Sequence, residues 1–215
     1  MTIDRAGFPF IGVALIPAAV CLAAGLPLVA LPLSGLGVAI ALFFRDPERV
    51  PPQMPEAVVS PADGRVLYAG PADRPLAPPG DWLQISIFLS PLDVHVNRVP
   101  IAGQVTRVEH VPGTFVPAFR DGAALNERTE IWLDHAGQTI VFRQIVGALA
   151  RRVVCRVAAG TTVQTGQRFG IMKFGSRMDL FMPTTATLVV SKGNRVRGGE
   201  TVVAHLGAPP VTDGI

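Results

Sequence analysis

The apolar positions of the chain begin with one long uninterrupted stretch. No charged residue occurs from Phe8 to Leu42. A bilayer core needs roughly 20 apolar residues in a helix, so this stretch is too long for one crossing. Pro27 lies near its middle, and a proline cannot donate the backbone hydrogen bond that a continuing helix needs. The pattern predicts two apolar helices, at about residues 10–27 and 30–44, that form a hairpin in or partway through a membrane.

The flanks of the hairpin predict its orientation. Arg5 precedes the apolar stretch and Arg45 follows it, so the positive-inside rule places both ends on the cytoplasmic side of the cell membrane. A signal peptide has one shorter apolar region and then a cleavage site, whereas a second apolar segment follows directly here. A buried helix pair is a further alternative. We expect residues 1–49 to be a peripheral or monotopic membrane attachment.

From residue 58 onward, short β-branched runs alternate with glycine turns, which is typical of an all-β domain. The predicted strands are Arg65–Tyr68, Leu83–Leu89, Gly103–Val108, Thr129–Leu133, Thr139–Ile145, Arg152–Val157 and Thr187–Val190. One short helix is predicted at 114–124. The repeated Gly-x-x-Val-x-x-Gly pattern at 160–166 and 193–199 resembles the β-sandwich of biotinyl and lipoyl carrier domains, a likeness of fold alone. We expect a mainly β, sandwich or barrel-like domain over residues 50–215.

Composition and charge exclude some classes of function. The 215 residues suit one modest domain with an appendage, and 49% of them are hydrophobic. The net charge is +3, and every basic residue except Lys173 and Lys192 is Arg. Because the basic residues form no run, nucleic-acid binding is not expected. Cys21 and Cys155 lack the spacing of metal ligands, and no metal is expected.

Four polar segments are candidates for chemistry. The turn at 60–64 carries Asp63, which by itself is ordinary turn chemistry. Segment 93–98 follows a very apolar strand and carries His95, either a site residue or a buried structural histidine. The third and fourth segments are 126–128 and 173–179. The last contains a Gly-Ser pair without the nucleophile-elbow pattern, so a serine hydrolase is not indicated.

Together, segments 43–49, 60–64, 93–98, 126–128 and 174–179 resemble the phosphatidylserine decarboxylase family of the short, prokaryotic type. The resemblance implies a proenzyme that cuts its own Gly175–Ser176 bond and converts Ser176 into a pyruvoyl group. Residues 1–175 and 176–215 then form a heterodimer, with further oligomerisation left open. Longer members have Leu-Gly-Ser-Thr at the cut and a second histidine where this chain has Arg98.

The resemblance also implies roles for individual residues. Ser176 is the nucleophile, and His95 is its base, oriented by Asp63 in the manner of a serine triad. The substrate amine forms a Schiff base with the pyruvoyl group, which replaces pyridoxal phosphate as electron sink, and no metal is needed. His95 is also the expected acid that protonates the product carbon.

The expected substrate is phosphatidylserine in the membrane, which the apolar hairpin would keep within reach. Arg98, Arg128 and Arg177 are candidates for binding its phosphate or carboxylate. Phe115 and Phe119 either shield the acyl chains or fill the core. Two alternatives stay open: a membrane-tethered, carrier-like β-sandwich adaptor without catalysis, and a pyruvoyl enzyme acting on a small soluble amino acid.

Overall fold

The computed structural model describes residues 2–73, 76–148, 153–173 and 175–208. Its helices are α1 (Phe8–Ala23) and α2 (Pro27–Phe43), with 3₁₀ turns at Arg5–Gly7 and Asp121–Leu125. The strands are β1 (Thr2–Ile3), β2 (Arg45–Asp46), β3 (Ala57–Val59), β4 (Gly64–Pro71), β5 (Trp82–Leu89), β6 (Val96–Arg98), β7 (Gly103–Val111), β8 (Arg128–His135), β9 (Gln138–Ile145), β10 (Val153–Cys155), β11 (Thr162–Val163), β12 (Arg168–Met172), β13 (Ser176–Pro183), β14 (Thr187–Leu188), β15 (Arg195–Val196) and β16 (Val202–His205).

The N-terminal apolar stretch forms the predicted helical hairpin. Both helices begin and end earlier than predicted, because Pro27 starts α2, where its missing N–H costs nothing. The helices pack through small residues: a Cβ on Gly37 would lie 2.3 Å from Cδ2 of Leu15. Their outer faces carry exposed apolar side chains such as Leu28, which is 87% exposed. By length and composition, Arg5–Ala23 is able to cross a membrane, whereas α2 is shorter.

The rest of the described chain is antiparallel β structure, which confirms the mainly β prediction. The largest sheet has eight strands in the order β11-β7-β8-β9-β13-β5-β4-β15. Two three-stranded sheets, β10-β12-β6 and β14-β16-β3, accompany it. The alternating residues of the central strands point into one apolar core, whose largest fully buried members include Ile85, Ile87, Leu89, Ile131, Leu133, Ile140, Phe142 and Phe169.

Three parts of the predicted pattern differ in the structure, of which the smallest is the strand predicted at Thr187–Val190, which ends at Leu188. In place of a helix at 114–124 there is only the 3₁₀ turn at Asp121–Leu125. The side chain of Asn126 bonds to the backbone N–H and C=O of Val116, and Pro117 follows, so these groups do not enter a helix. The strand predicted at Arg152–Val157 is Val153–Cys155, and Arg152 lies outside the described residues.

Candidate active site

Ser176 is the first residue of β13, a central strand that lies between β9 and β5. Its side chain is fully buried, and its Oγ has no hydrogen-bond partner among the described residues. Gly175 before it has φ +65°, a left-handed conformation that favours glycine. Phe174, the start of the Phe-Gly-Ser-Arg motif, lies outside the described residues. A buried hydroxyl without a partner is costly, and such groups are found at reactive sites.

His95 is held in one orientation by the backbone. Its Nδ1 lies 2.9 Å from the carbonyl oxygen of Asp93. Because a carbonyl only accepts, Nδ1 must carry the proton, which leaves Nε2 with a free lone pair. Nε2 is buried and has no partner among the described residues. Burial lowers the pKa of His95 to about 4, so the imidazole is neutral at physiological pH and can accept a proton.

The backbone brings His95 and Ser176 to the same end of the molecule. Val96 pairs with Ile171, and the N–H of Met172 donates to the carbonyl of His95 at 3.2 Å. Three residues then separate Met172, the end of β12, from Ser176, the start of β13. One short connection therefore lies between a neutral nitrogen base and a hydroxyl. Both groups are buried, and neither has a hydrogen-bond partner among the described residues.

The structure gives Asp63 a partner other than His95. Its carboxylate accepts two hydrogen bonds from Arg49 and one from the N–H of Gly198 at 2.8 Å. The guanidinium matches a carboxylate in a bidentate fork, so it takes the oxygens that the sequence analysis assigned to the imidazole. Asp63 raises the pKa of His95 through its charge, but burial outweighs this effect. The orientation of the ring comes from Asp93.

A buried amide that the sequence analysis did not select, Gln144, lies on the same inner face and bonds to Asn97 of segment 93–98. Gln144 on β9 pairs with Met178, so by alternation it shares the face of β13 that carries Ser176. Its Nε2 donates to Oδ1 of Asn97 at 2.8 Å. Nδ2 of Asn97 and Oε1 of Gln144 are left without partners among the described residues. A buried Gln within a strand was the available sequence signal, but the register that places it here was not predictable.

Gly147 is a further residue that the sequence did not identify. It faces Gly175 across the end of the β9–β13 ladder, and a Cβ on Gly147 would lie 1.9 Å from the carbonyl oxygen of Gly175. Asn126 and Glu127 fix this segment, because Asn126 Nδ2 donates to the carbonyl of Val146 at 2.8 Å and the Val146 N–H donates to Glu127. The carbonyl that Ser176 would attack therefore has a defined position against a glycine.

The three candidate arginines have different surroundings. Arg98 is buried and bonds to Asp46 and to the carbonyls of Pro47 and Gly166. Arg128 is paired with Glu130 at 2.7 Å. Arg177 bonds to Asp179 and Ser86, and it lines a cavity of about 430 Å³ on the outer face of the large sheet. Arg98 borders a different cavity, of about 470 Å³, with Arg49 and Arg168. The cavity at Arg177 is the one that shares Phe119 with the pocket at Gly175.

The two candidate phenylalanines are both partly exposed. Phe119 is 59% exposed and meets Phe88 edge to face at 5.9 Å. It lines the cavity beside Arg177 and also an apolar pocket of about 190 Å³ that Gly175 borders. Phe115 is 38% exposed, so neither ring is simple core filling. The pocket at Gly175, with Phe88, Pro91 and Phe119 in its wall, gives an apolar approach to the Gly175–Ser176 bond.

The protein should lose stability as the pH falls from about 6.5 to 4. The pKa of His95 is about 4 when folded and about 6.5 when unfolded. Between these values the unfolded chain binds a proton that the folded chain does not, so stability decreases by roughly 3 kcal/mol over this window. Melting temperatures in detergent from pH 4 to 8 would measure the slope. His95→Gln should flatten it, and an unchanged slope in that variant would contradict the assignment.

Comparison with known proteins shows which family this chain resembles. The sequence model of the phosphatidylserine decarboxylase family matches residues 36–204. A phosphatidylserine decarboxylase proenzyme of Salinibacter ruber is 46% identical over 187 residues, covering 85% of this chain and 82% of its own. The proenzyme of Desulfotalea psychrophila is 42% identical over 207 residues, covering 95% and 96%. That of Anaplasma phagocytophilum is 39% identical over 95% of this chain and 91% of its own.

Proposed function

Because this chain belongs to the phosphatidylserine decarboxylase family, we propose that it converts phosphatidylserine to phosphatidylethanolamine and CO₂ with a pyruvoyl group made from Ser176. The observation that carries the proposal is the buried Oγ of Ser176, which has no partner among the described residues and directly follows Gly175 at φ +65°. The relatives' names as proenzymes support a chain that is processed.

Self-cleavage begins at the Ser176 hydroxyl. Nε2 of His95 takes the hydroxyl proton, and Oγ attacks the carbonyl carbon of Gly175. The amide C–N bond breaks, the nitrogen of Ser176 is protonated, and an ester joins the two residues. Gly175 has no Cβ to crowd the tetrahedral centre. The donor Nδ2 of Asn97, which lacks a partner among the described residues, is the candidate to stabilise the developing oxyanion.

Elimination then separates the two chains. A base removes the Cα proton of Ser176, the Cβ–O bond breaks, and Gly175 leaves with a free carboxylate. The dehydroalanine that remains tautomerises and is hydrolysed by water, releasing ammonia and leaving a pyruvoyl group on the chain of residues 176–215. The expected product is a heterodimer of residues 1–175 and 176–215. Nε2 of His95 and the connection at residues 173–175 serve both the formation of the ester and its elimination.

The residues around the cleavage site suit the second reaction as well. The pyruvoyl group, when formed, supplies a carbonyl that binds the substrate amine and accepts the electron pair left by CO₂. The pocket walled by Phe88, Phe119 and Pro91 gives this position an apolar approach. Nε2 of His95 accepts a proton from the substrate ammonium, which frees the amine, and donates that proton to the substrate carbon after CO₂ leaves. Arg177 is the candidate for the substrate's anionic groups.

The apolar hairpin supports a membrane substrate over a soluble amino acid. The exposed faces of α1 and α2 are apolar and flanked by Arg5 and Arg45, so we place the protein at the cytoplasmic side of the cell membrane. Attachment there confines enzyme and lipid to one surface and raises their effective concentration. A small soluble amino acid would make no use of this segment. The adaptor alternative has no support in relatives named as decarboxylases.

The purified wild-type protein is expected to run as two chains and to form phosphatidylethanolamine from phosphatidylserine vesicles. Intact mass would give the two chain masses, and thin-layer chromatography with trapped CO₂ would measure the reaction. Serine offered at millimolar concentration is the comparison substrate. A single uncut chain with the intact mass expected for an unmodified Ser176 would refute the proposal that a pyruvoyl group forms. Turnover of free serine at the rate of the lipid would refute the choice of substrate.

A further inference from the structure

The base of the apolar hairpin touches the ring of His95. Phe43, the last residue of α2, lies with its ring centroid 4.1 Å from that of His95, at an interplanar angle of 34°. Both side chains are buried. The ring contact covers one face of the imidazole whose Nδ1 is fixed by Asp93. The segment that would attach the protein to the membrane therefore supplies a wall of the His95 environment.

The residues after Phe43 hold the chain around His95 from the same side. The Arg45 guanidinium donates to the carbonyl of Leu92, three residues before His95, at 2.5 Å. Phe44 is fully buried and forms one apolar cluster with Phe43, Val94, Val96 and Ile171. Both residues next to His95 are thus packed against the end of the hairpin. The end of the hairpin is therefore packed against the β domain.

The other helix of the hairpin reaches the segment before Ser176. Phe10 of α1 stacks on Phe44, with ring centroids 5.5 Å apart. The ammonium of Lys173 lies 4.8 Å from the centroid of Phe10. Lys173 is in the three-residue connection between β12 and Ser176. One aromatic series, Phe10–Phe44–Phe43, therefore contacts both the histidine and the connection that leads to the cleavage site.

We propose that Phe43 is a positioning residue for His95, so that the membrane hairpin is also a structural part of the catalytic site. This inference rests on the proposed function, in which His95 is the base. Phe43 fixes the plane of the imidazole and keeps water from its face, while Asp93 fixes the tautomer. A site assembled in this way is complete only when the hairpin is seated on the β domain.

Both the nearby charges and the burial to which Phe43 contributes act on the pKa of His95. Asp93, in the loop before β6, and Asp63, in the turn before β4, favour the protonated imidazole. Arg45, the first residue of β2, disfavours it. Burial is the largest effect and keeps the ring neutral. Removing the Phe43 ring admits water, which weakens the burial effect and raises the pKa of His95 toward its ordinary value of about 6.5.

The test is the rate of self-cleavage at two pH values. The proenzyme is pulse-labelled by cell-free synthesis in detergent micelles, then chased at pH 8.0 and pH 5.5. With a pKa of about 4 the wild type should cleave at similar rates at both. In Phe43→Ala the rate at pH 8.0 should fall several-fold, and a further loss of up to about 10-fold should appear at pH 5.5, where an ordinary histidine is about one-tenth neutral. Phe43→Leu, which restores apolar volume, should recover most of the pH 5.5 rate.

The matched control is Leu42→Ala, which removes an exposed side chain from the adjacent position of the same helix. It should cleave as the wild type does. Wild-type rates in Phe43→Ala, or an equal slowing at both pH values, would overturn the inference while leaving the proposed function intact. If Phe43→Ala does not fold, Phe43→Val is judged by the same ratio of rates, with Phe43→Leu as its comparison. A wild type that never cleaves would instead refute the proposed function.

Discussion

Ser176→Ala is expected to give a single uncut chain with no decarboxylase activity. The methyl side chain has no oxygen to attack Gly175, so neither the ester nor the pyruvoyl group can form, and the loss should be complete. The buried Oγ has no partner among the described residues, so its removal leaves no donor or acceptor behind and should not lower stability. Intact mass and product formation from phosphatidylserine vesicles measure the two effects.

Ser191→Ala is the matched control for this variant. Ser191 lies on the same C-terminal segment and is exposed, so its replacement should leave cleavage and turnover at wild-type levels. The melting temperature of Ser176→Ala should equal or exceed that of the wild type. Two chains in purified Ser176→Ala, or turnover above background, would mean that another residue is the nucleophile.

Much of the fold could be predicted because its signals are local. An uncharged stretch broken at Pro27 predicts a hairpin whatever surrounds it, and alternating β-branched runs predicted most of the long strands. The helix predicted at 114–124 was wrong because a side chain just beyond it, that of Asn126, folds back and bonds to the backbone of this segment. The pattern of apolar and polar positions does not show which backbone groups an Asn side chain will bond to.

The arrangement of the candidate site was less predictable for the same reason. The sequence singled out His95 and Ser176 as residues, but the partner of Asp63 is Arg49, a pairing that only the folded chain reveals. Gly147 follows an ordinary strand and resembles any other glycine in the sequence. Its importance comes from the register of β9 against β13, which sets it beside the carbonyl of Gly175.

Gly147→Ala is expected to slow self-cleavage by about 100-fold or more in a chain that still folds. The new Cβ would lie 1.9 Å from the carbonyl oxygen of Gly175, so one of the two segments must move. Asn126 and Glu127 hold Val146 on both sides, whereas Gly175 lies in the short connection before β13. The Gly175 carbonyl should therefore move, and a displacement of about 1 Å from the attacking hydroxyl costs on the order of 100-fold in rate.

The controls separate this displacement from a general loss of structure. Gly122→Ala is the matched substitution, because a Cβ there would meet its nearest neighbour, Val116, at an ordinary 3.8 Å. It should cleave at the wild-type rate. Comparing melting temperatures of Gly147→Ala and the wild type in a shared Ser176→Ala background removes cleavage from the measurement. Wild-type cleavage in Gly147→Ala would show that the carbonyl tolerates the shift, and the close contact between these two glycines would then have no part in positioning the scissile bond.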